Sequence, residues 1–124
     1  MEVELKGHKD LDVWKKSINL ATEIYKVTES FPKEEIYGLI SQIRRSVVSI
    51  SANIAEGAAR NSKKEFIQFL YISLGSVAEL ETELLIAKNI GYLKNDNIFE
   101  RIKVIRKMLS GLINSVKRED EVKK

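Results

Sequence analysis

The clearest periodic pattern in this 124-residue chain is Asn97–Val116, NIFERIKVIRKMLSGLINSV. Its large apolar residues recur at alternating steps of four and three positions, at Ile98, Ile102, Ile105, Leu109, Leu112 and Val116. Because an α-helix turns once in 3.6 residues, this spacing places them all on one face. The stretch is therefore predicted to be an amphipathic helix whose apolar face packs against other helices.

Three earlier segments show the same periodicity, and residues that end helices separate them. We predict helices over residues 11–29, 34–59 and 63–90, and from residue 97 onward. Pro32 ends the first helix because proline lacks a backbone donor. Ser62 followed by Glu65 is typical of a capping box, and Gly91 suits the position just after a helix. No segment alternates with period two, so we expect no β-sheet.

Four amphipathic helices with short connections predict an all-α fold, an antiparallel up-down-up-down four-helix bundle. The length corresponds to a single domain. We assign residues 1–9 to a flexible N-terminus, 10–118 to the bundle and 119–124 to a charged tail. In the second helix the predicted core face consists of Ile36, Leu39, Ile43, Val47, Ile50 and Ile54.

Composition excludes several classes of protein. Hydrophobic residues make up 44% of the chain and charged residues 31%, as in an ordinary globular domain. The absence of cysteine removes disulfides, thiolate metal sites and cysteine nucleophiles. No apolar run is long enough to span a bilayer, and the first residues lack the apolar core of a secretory signal. We therefore expect a cytoplasmic protein without a membrane partner.

Two of the predicted helices have more apolar surface than a single bundle can bury. The apolar arc of the first helix covers about 200°, roughly twice the stripe that a core-facing helix needs. In the third helix the apolar face is widened by Ile67, Leu74, Ala78 and Leu85. Because monomers avoid large contiguous apolar patches, we predict a homo-oligomer. A monomer with a slightly apolar surface is the alternative.

Polar residues border the core faces of the second and third helices in two narrow stripes. The stripes include Gln42, Arg45, Asn53, Glu56 and Arg60 on the second helix and Glu79 and Glu83 on the third. If the helices fold back at residues 61–62, Arg45 comes level with Glu79, where a strong charge-assisted pair could form. We interpret the stripes as a structural polar network that fixes the register of the two helices.

A carboxylate metal site built from Glu56, Glu79 and Glu83 is the alternative interpretation. Di-iron bundles also need two Glu-x-x-His units, whereas this chain has one histidine, His8. A serine–histidine relay would also depend on His8, and no supporting spacing is present. We therefore predict no metal, no cofactor and no catalytic residue, and hence no enzyme.

Basic residues are concentrated in the last quarter of the chain. Residues 94–124 contain nine basic and five acidic residues, a net charge of +4. On the fourth helix the basic residues opposite the apolar seam are Lys103, Arg106, Lys107 and Lys117. These four are our candidate nucleic-acid-binding residues, because clustered cations attract phosphate backbones. Aromatic residues for base stacking are not interleaved, so binding should not depend on sequence. A solvated helix face is the alternative.

Five motifs together resemble one protein family. They are Asp10-Leu11-Asp12-Val13-Trp14, Gln42-x-x-Arg45, Asn53-Ile54-Ala55-Glu56-Gly57, Gly75-Ser76-x-x-Glu79-Leu80 and Gly91-Tyr92-Leu93. The chain is similar to the four-helix bundle proteins encoded in intervening sequences of bacterial 23S rRNA genes, the S23 family. The resemblance implies a homopentamer. It also implies a fold similar to the accessory variability protein of diversity-generating retroelements, a basic pentamer that works with a reverse transcriptase and nucleic acid.

Residues and resemblance together lead to one functional hypothesis with an alternative. The hypothesis is a non-enzymatic homo-oligomeric bundle that binds RNA, DNA or a ribonucleoprotein partner through its basic surface. The alternative is a protein–protein interaction scaffold that binds no nucleic acid. The resemblance does not imply a catalytic activity, and a metalloenzyme is the third interpretation.

Overall fold

The structure is a computed structural model, and it describes residue 8 and residues 11–122. Over these residues the chain forms four α-helices and a short 3₁₀ helix, without a strand. The elements are α1 (Asp12–Thr28), the 3₁₀ helix (Lys33–Glu35), α2 (Leu39–Ala58), α3 (Lys63–Asn89) and α4 (Asn97–Val122). Each helix packs against the next along the chain, most extensively α2 against α3, and α1 closes the bundle on α4. The predicted all-α four-helix bundle is confirmed.

The core runs along the length of the bundle and is built from aliphatic residues. The buried residues of the four helices include Val13, Leu20 and Ile24 on α1, Ile40, Ile43, Val47, Ile50 and Ile54 on α2, Leu70, Val77, Leu80 and Leu84 on α3, and Ile98, Ile102, Ile105, Leu109, Ile113 and Val116 on α4. Fully burying one such side chain stabilises the fold by about 1.5–3 kcal/mol relative to leaving it exposed. On α4 we predicted that Leu112 would be a core residue. The structure buries Ile113 instead, and Leu112 is only half-buried.

The predicted signals at the two ends of α3 have the expected geometry. The backbone N–H of Glu65 donates to Ser62 Oγ at 3.1 Å, which satisfies one of the free donors of the first turn. At the other end Gly91 has a φ of 90°, a conformation that favours glycine. The N–H of Tyr92 then donates to the carbonyl of Ala87 at 2.9 Å and closes the helix end.

The start of α2 was predicted wrongly. This helix begins at Leu39 and not at Glu34, because residues 33–35 form the 3₁₀ helix and residues 36–38 a turn. Glu35 explains the difference, since its Oε1 accepts the N–H of Leu39 at 3.1 Å and caps α2 from outside. Ile36 consequently misses the core face to which it was assigned and is 49% exposed, whereas Ile40 is buried.

The far end of α4 extends further than the sequence indicated. The helix continues to Val122, through residues 119–122 that we assigned to the charged tail. Lys63 Nζ at the start of α3 lies 4.0 Å from Glu119 Oε1 in this extension. Near the N-terminus the His8 ring packs edge-on against Trp14, with 4.8 Å between ring centroids. The rest of the predicted flexible N-terminus, Asp10 and the last two residues lie outside the described residues.

Close packing of α2 and α3 depends on one glycine. A Cβ atom at Gly57 would lie 2.6 Å from Phe69 Cβ and 3.0 Å from Phe66 Cδ1, so no larger residue fits without movement. Deeper in the same interface the Ser73 hydroxyl donates to the carbonyl of Ile50 at 2.8 Å. These contacts fix the register on which the polar residues described below depend.

No helix in the described part of the chain is long and apolar enough to cross a bilayer.

Candidate functional site

The polar network between α2 and α3 is built mainly from serines. The Ser46 hydroxyl donates to Glu83 Oε1 at 2.9 Å, and the Ser49 and Ser76 hydroxyls are 2.8 Å apart. Asn53 Nδ2 donates to Ser49 Oγ at 2.8 Å and so joins the network from its own helix. Short hydroxyl side chains allow the helices to approach closely while each polar atom keeps a partner.

Within this network the surroundings of Glu83 change the pKa of its carboxyl group. Burial raises the pKa of the Glu83 carboxyl above its ordinary value, and the neighbouring Glu79 carboxylate raises it further. The hydrogen bond from Ser46 and the charge of Arg45 oppose this change in pKa but are outweighed. Glu83 therefore holds its negative charge less readily than an exposed glutamate.

Arg45 and Glu79 do not form the ion pair that the sequence suggested. Both line an open cleft of about 310 Å³ between α2 and α3, together with Gln42 and Glu83. Arg45, Gln42 and Glu79 are all exposed there, and no ion pair within the described residues includes Arg45 or Glu79. The serines occupy the space between the two helices, and the longer charged side chains lie at the rim of the cleft.

The remaining members of the predicted network lie apart from this cleft. Glu56 Oε2 accepts a hydrogen bond from Arg60 Nη2 at 2.7 Å, an exposed pair one turn apart on α2. The Arg60 guanidinium lies 4.8 Å from the centre of the Phe69 ring on α3. Glu56 thus does not converge with Glu79 and Glu83. Among the described residues no three acidic or histidine side chains come together in a way that could hold a metal ion.

The four candidate nucleic-acid-binding residues on α4 divide into two groups. Arg106 Nη2 donates to Glu81 Oε1 on α3, so its charge is matched within the bundle. Lys117 Nζ donates to the Tyr71 hydroxyl, also on α3, at 2.7 Å. Lys103 and Lys107 are exposed, and neither forms an ion pair with another described residue. Lys103 and Lys107 are therefore the part of the predicted face that can bind a ligand without breaking a contact within the bundle.

A strip of exposed apolar residues runs along the outer side of α3. It comprises Tyr71, Ile72, Leu85, Ile86 and Ile90, each between 45% and 53% exposed. Gly75, Ala78 and Thr82 lie between them on the same side of the helix. Tyr71 lies at the edge of this outer α3 strip, where its hydroxyl contacts Lys117 of α4. The sequence indicated it only partly, through the wide apolar face predicted for the third helix.

Further basic residues that the sequence did not select lie between α1 and α4. Lys26, Lys94 and Arg101 line a groove of about 460 Å³ beside the connection from α3 to α4. Sequence reasoning could not find them together, because they belong to three separate elements.

Comparisons with known proteins agree with the fold. The sequence model of a family described as 23S rRNA-intervening sequence protein matches residues 9–111. A crystal structure from Bacteroides thetaiotaomicron VPI-5482 is similar, and it is described as a protein with unknown function from the S23 ribosomal protein family. It is 26% identical, and the match covers 92% of this chain and 99% of that chain with a TM-score of 0.75. Among curated proteins, none matches this sequence.

Proposed function

The chain belongs to the family of 23S rRNA-intervening sequence proteins, and from this membership we propose that it is a non-enzymatic, homo-oligomeric bundle that binds RNA or DNA through a basic surface. The observation that carries the proposal is the pair of exposed lysines on α4, Lys103 and Lys107, one turn apart and without an ion-pair partner in the described chain. Arg118 extends this exposed basic surface toward the end of the helix.

Phosphate backbones are the polyanions that such a surface fits. Each Lys or Arg that neutralises a phosphate releases condensed counterions, so binding is favoured and becomes dependent on salt. Two or three contacts from one subunit give weak binding. A surface repeated around an oligomer multiplies the contacts, and the summed field also speeds association.

The outer α3 strip supports the oligomeric part of the proposal. Exposed patches of this kind are unfavourable in water, and burial stabilises the assembly by about 25 cal/mol per Å² of apolar surface. We propose that a second copy of the chain covers the strip. The assembly is a homopentamer, as the family resemblance implies, and Lys103 and Lys107 on the neighbouring helix repeat in every subunit.

A protein–protein interaction scaffold without nucleic-acid binding is the second candidate. It is favoured by the internal contacts of Arg106 with Glu81 and of Lys117 with Tyr71, which leave fewer cations for phosphates. The two candidates differ in what Lys103 and Lys107 do. A scaffold tolerates the reversal of these charges and keeps its partner, whereas a polyanion-binding protein does not.

The test is a salt titration of binding to structured RNA and to duplex DNA. The variant K103E/K107E is compared with K15E/K33E, a control with the same change in charge at exposed lysines elsewhere. Each lost phosphate contact should reduce the slope of log K against log salt by about 0.7–0.9, and only in K103E/K107E. No binding at low salt, a slope near zero, or equal losses in both variants would rule out the proposal.

A further inference from the structure

The groove lined by Lys26, Lys94 and Arg101 has the size and position of a ligand site. It lies between the last turns of α1, the connection after α3 and the first turn of α4, and encloses about 460 Å³. Small-molecule sites in proteins commonly measure about 300–1,000 Å³. Unlike the flat outer side of α4, this groove could surround a single chemical group.

Positive charge converges on the groove from three elements. Lys26 comes from α1, Lys94 from the connection and Arg101 from α4, and all three are exposed. None of them forms an ion pair within the described residues, and Glu23 is the acidic residue among the groove's lining. Three cations around a common space repel one another, and a bound anion would remove that repulsion.

The electropositive region continues beyond the groove itself. Arg101 also lines a smaller cavity of about 160 Å³ between α1 and α4, beside Lys16. The N-terminus of α4, which begins at Asn97, lies at the groove, and its helix dipole adds positive potential there. An anion in the groove would therefore be favoured by charge from several directions.

Apolar residues line part of the groove beside the polar side chains of Ser30, Asn95 and Asn97, which distinguishes it from a simple site for inorganic anions. Leu93 and Ile98 are buried beneath it, and Val27 and Tyr92 are half-buried in its walls. The Tyr92 ring is held by Phe31, 5.6 Å away between centroids, so this wall is fixed in place. A ligand that fits both parts has an anionic group and a flat, weakly polar body.

We propose that this groove binds one nucleotide, with its phosphate between Lys26, Lys94 and Arg101 and its base against Tyr92 and Leu93. The inference deepens the proposed function, on which it rests, because it names where one unit of a nucleic acid is held. The same chemistry is available from a free mononucleotide or from a nucleotide within RNA. The two sources are distinguished by experiment.

The experiment records amide chemical shifts of the full chain during titration with adenosine 5′-monophosphate, adenosine, inorganic phosphate and a short single-stranded RNA. The mononucleotide should shift amides of residues 91–101 and bind at least tenfold more tightly than adenosine or phosphate alone. If RNA is the source, the short RNA should shift the same amides at lower concentration than the mononucleotide. If a free nucleotide is the source, the mononucleotide should bind the more tightly.

Two variants connect the shifts to the groove. K94E/R101E should weaken mononucleotide binding at least tenfold, whereas K103E/K107E should leave it unchanged, and circular dichroism checks that both are folded. The groove inference is overturned if the mononucleotide shifts no groove amide, if adenosine binds equally well, or if K94E/R101E binds normally. RNA binding that is lost in K103E/K107E but kept in K94E/R101E would refute the groove and leave the proposed function standing.

Discussion

The Tyr92 hydroxyl donates a hydrogen bond to Glu35 Oε2 at 3.2 Å, although the two residues lie 57 positions apart in the sequence. The other carboxylate oxygen of Glu35 accepts the N–H of Leu39 at 3.1 Å. One side chain thus caps α2 and also joins the α1–α2 connection to the α3–α4 connection at the same end of the bundle. The contact holds Tyr92 in the wall of the groove beside the α3–α4 connection.

Removing the Glu35 carboxylate should destabilise the fold. E35A loses the cap of α2 and the acceptor of the Tyr92 hydroxyl, so the free energy of unfolding should fall by about 1–2 kcal/mol. E35Q keeps one acceptor oxygen and should lose less. Urea unfolding of the three proteins provides the measurement, and an unchanged midpoint for E35A would show that the capping contact contributes nothing.

Replacing Gly57 with alanine should lower the stability of the fold, whereas replacing Gly111 with alanine should raise it. G57A places a methyl group 2.6 Å from Phe69 Cβ, and such overpacking should cost about 1–3 kcal/mol. In G111A the new methyl group meets no atom within 4 Å, and the better helix propensity of alanine should stabilise α4 by about 0.5–1 kcal/mol. Thermal unfolding distinguishes the two, and a G57A variant as stable as the parent would mean that α2 and α3 are not closely packed there.

Glu83 should make stability depend on pH in a defined direction. Its pKa is raised in the folded protein, chiefly by burial, so the protonated form is favoured by folding. The resulting stabilisation is fully present below the ordinary glutamate pKa and is lost as pH rises through the raised value. E83Q should remove this dependence and raise stability at neutral pH by less than about 1 kcal/mol, because water screens a half-buried carboxylate.

Measuring the unfolding free energy of the parent and of E83Q between pH 4 and pH 8 tests this prediction. E79Q should reduce the pH dependence only in part, because Glu79 is exposed and contributes less than burial to the raised pKa of Glu83. If the difference in unfolding free energy between E83Q and the parent does not grow as pH rises, the charged form of the Glu83 carboxyl is not destabilised by its surroundings.

Arg45 and Glu79 are expected to contribute little to stability. The sequence suggested a charge-assisted pair, and loss of either partner would cost a few kcal/mol if that pair were buried. In the structure both residues are exposed and no ion pair joins them within the described chain, so R45A and E79A should each change the unfolding free energy by less than about 1 kcal/mol. A loss of several kcal/mol in either variant would show that the two side chains meet.

The fold was largely predictable because the relevant signals are local. The spacing of apolar residues gives the four helices, and the Ser62 and Gly91 signals lie within a few residues of the ends they define. The family resemblance drawn from the motifs is confirmed by the family match over residues 9–111. The start of α2 was missed because Glu35 caps it by reaching forward from another element, which periodicity does not reveal.

The candidate site was predicted less completely because it depends on distances between helices. Arg106 and Lys103 lie on the same polar side of a helical wheel, yet Arg106 pairs with Glu81 because α3 lies beside its edge of α4. The cations of the groove were missed for the same reason, since Lys26 and Arg101 become neighbours only when α1 packs against α4.

If α3 has more outward apolar surface than one bundle can cover, the mass of the purified protein in solution should be that of an oligomer. Light scattering coupled to gel filtration, at several concentrations, should give five times the 14.2 kDa of a single chain. The variant I72D/I86D, with charges in the outer α3 strip, should give a smaller species, whereas K15E/K33E should not. A parent that stays strictly monomeric at high concentration would show that one bundle tolerates this apolar surface in water and that no second copy covers it.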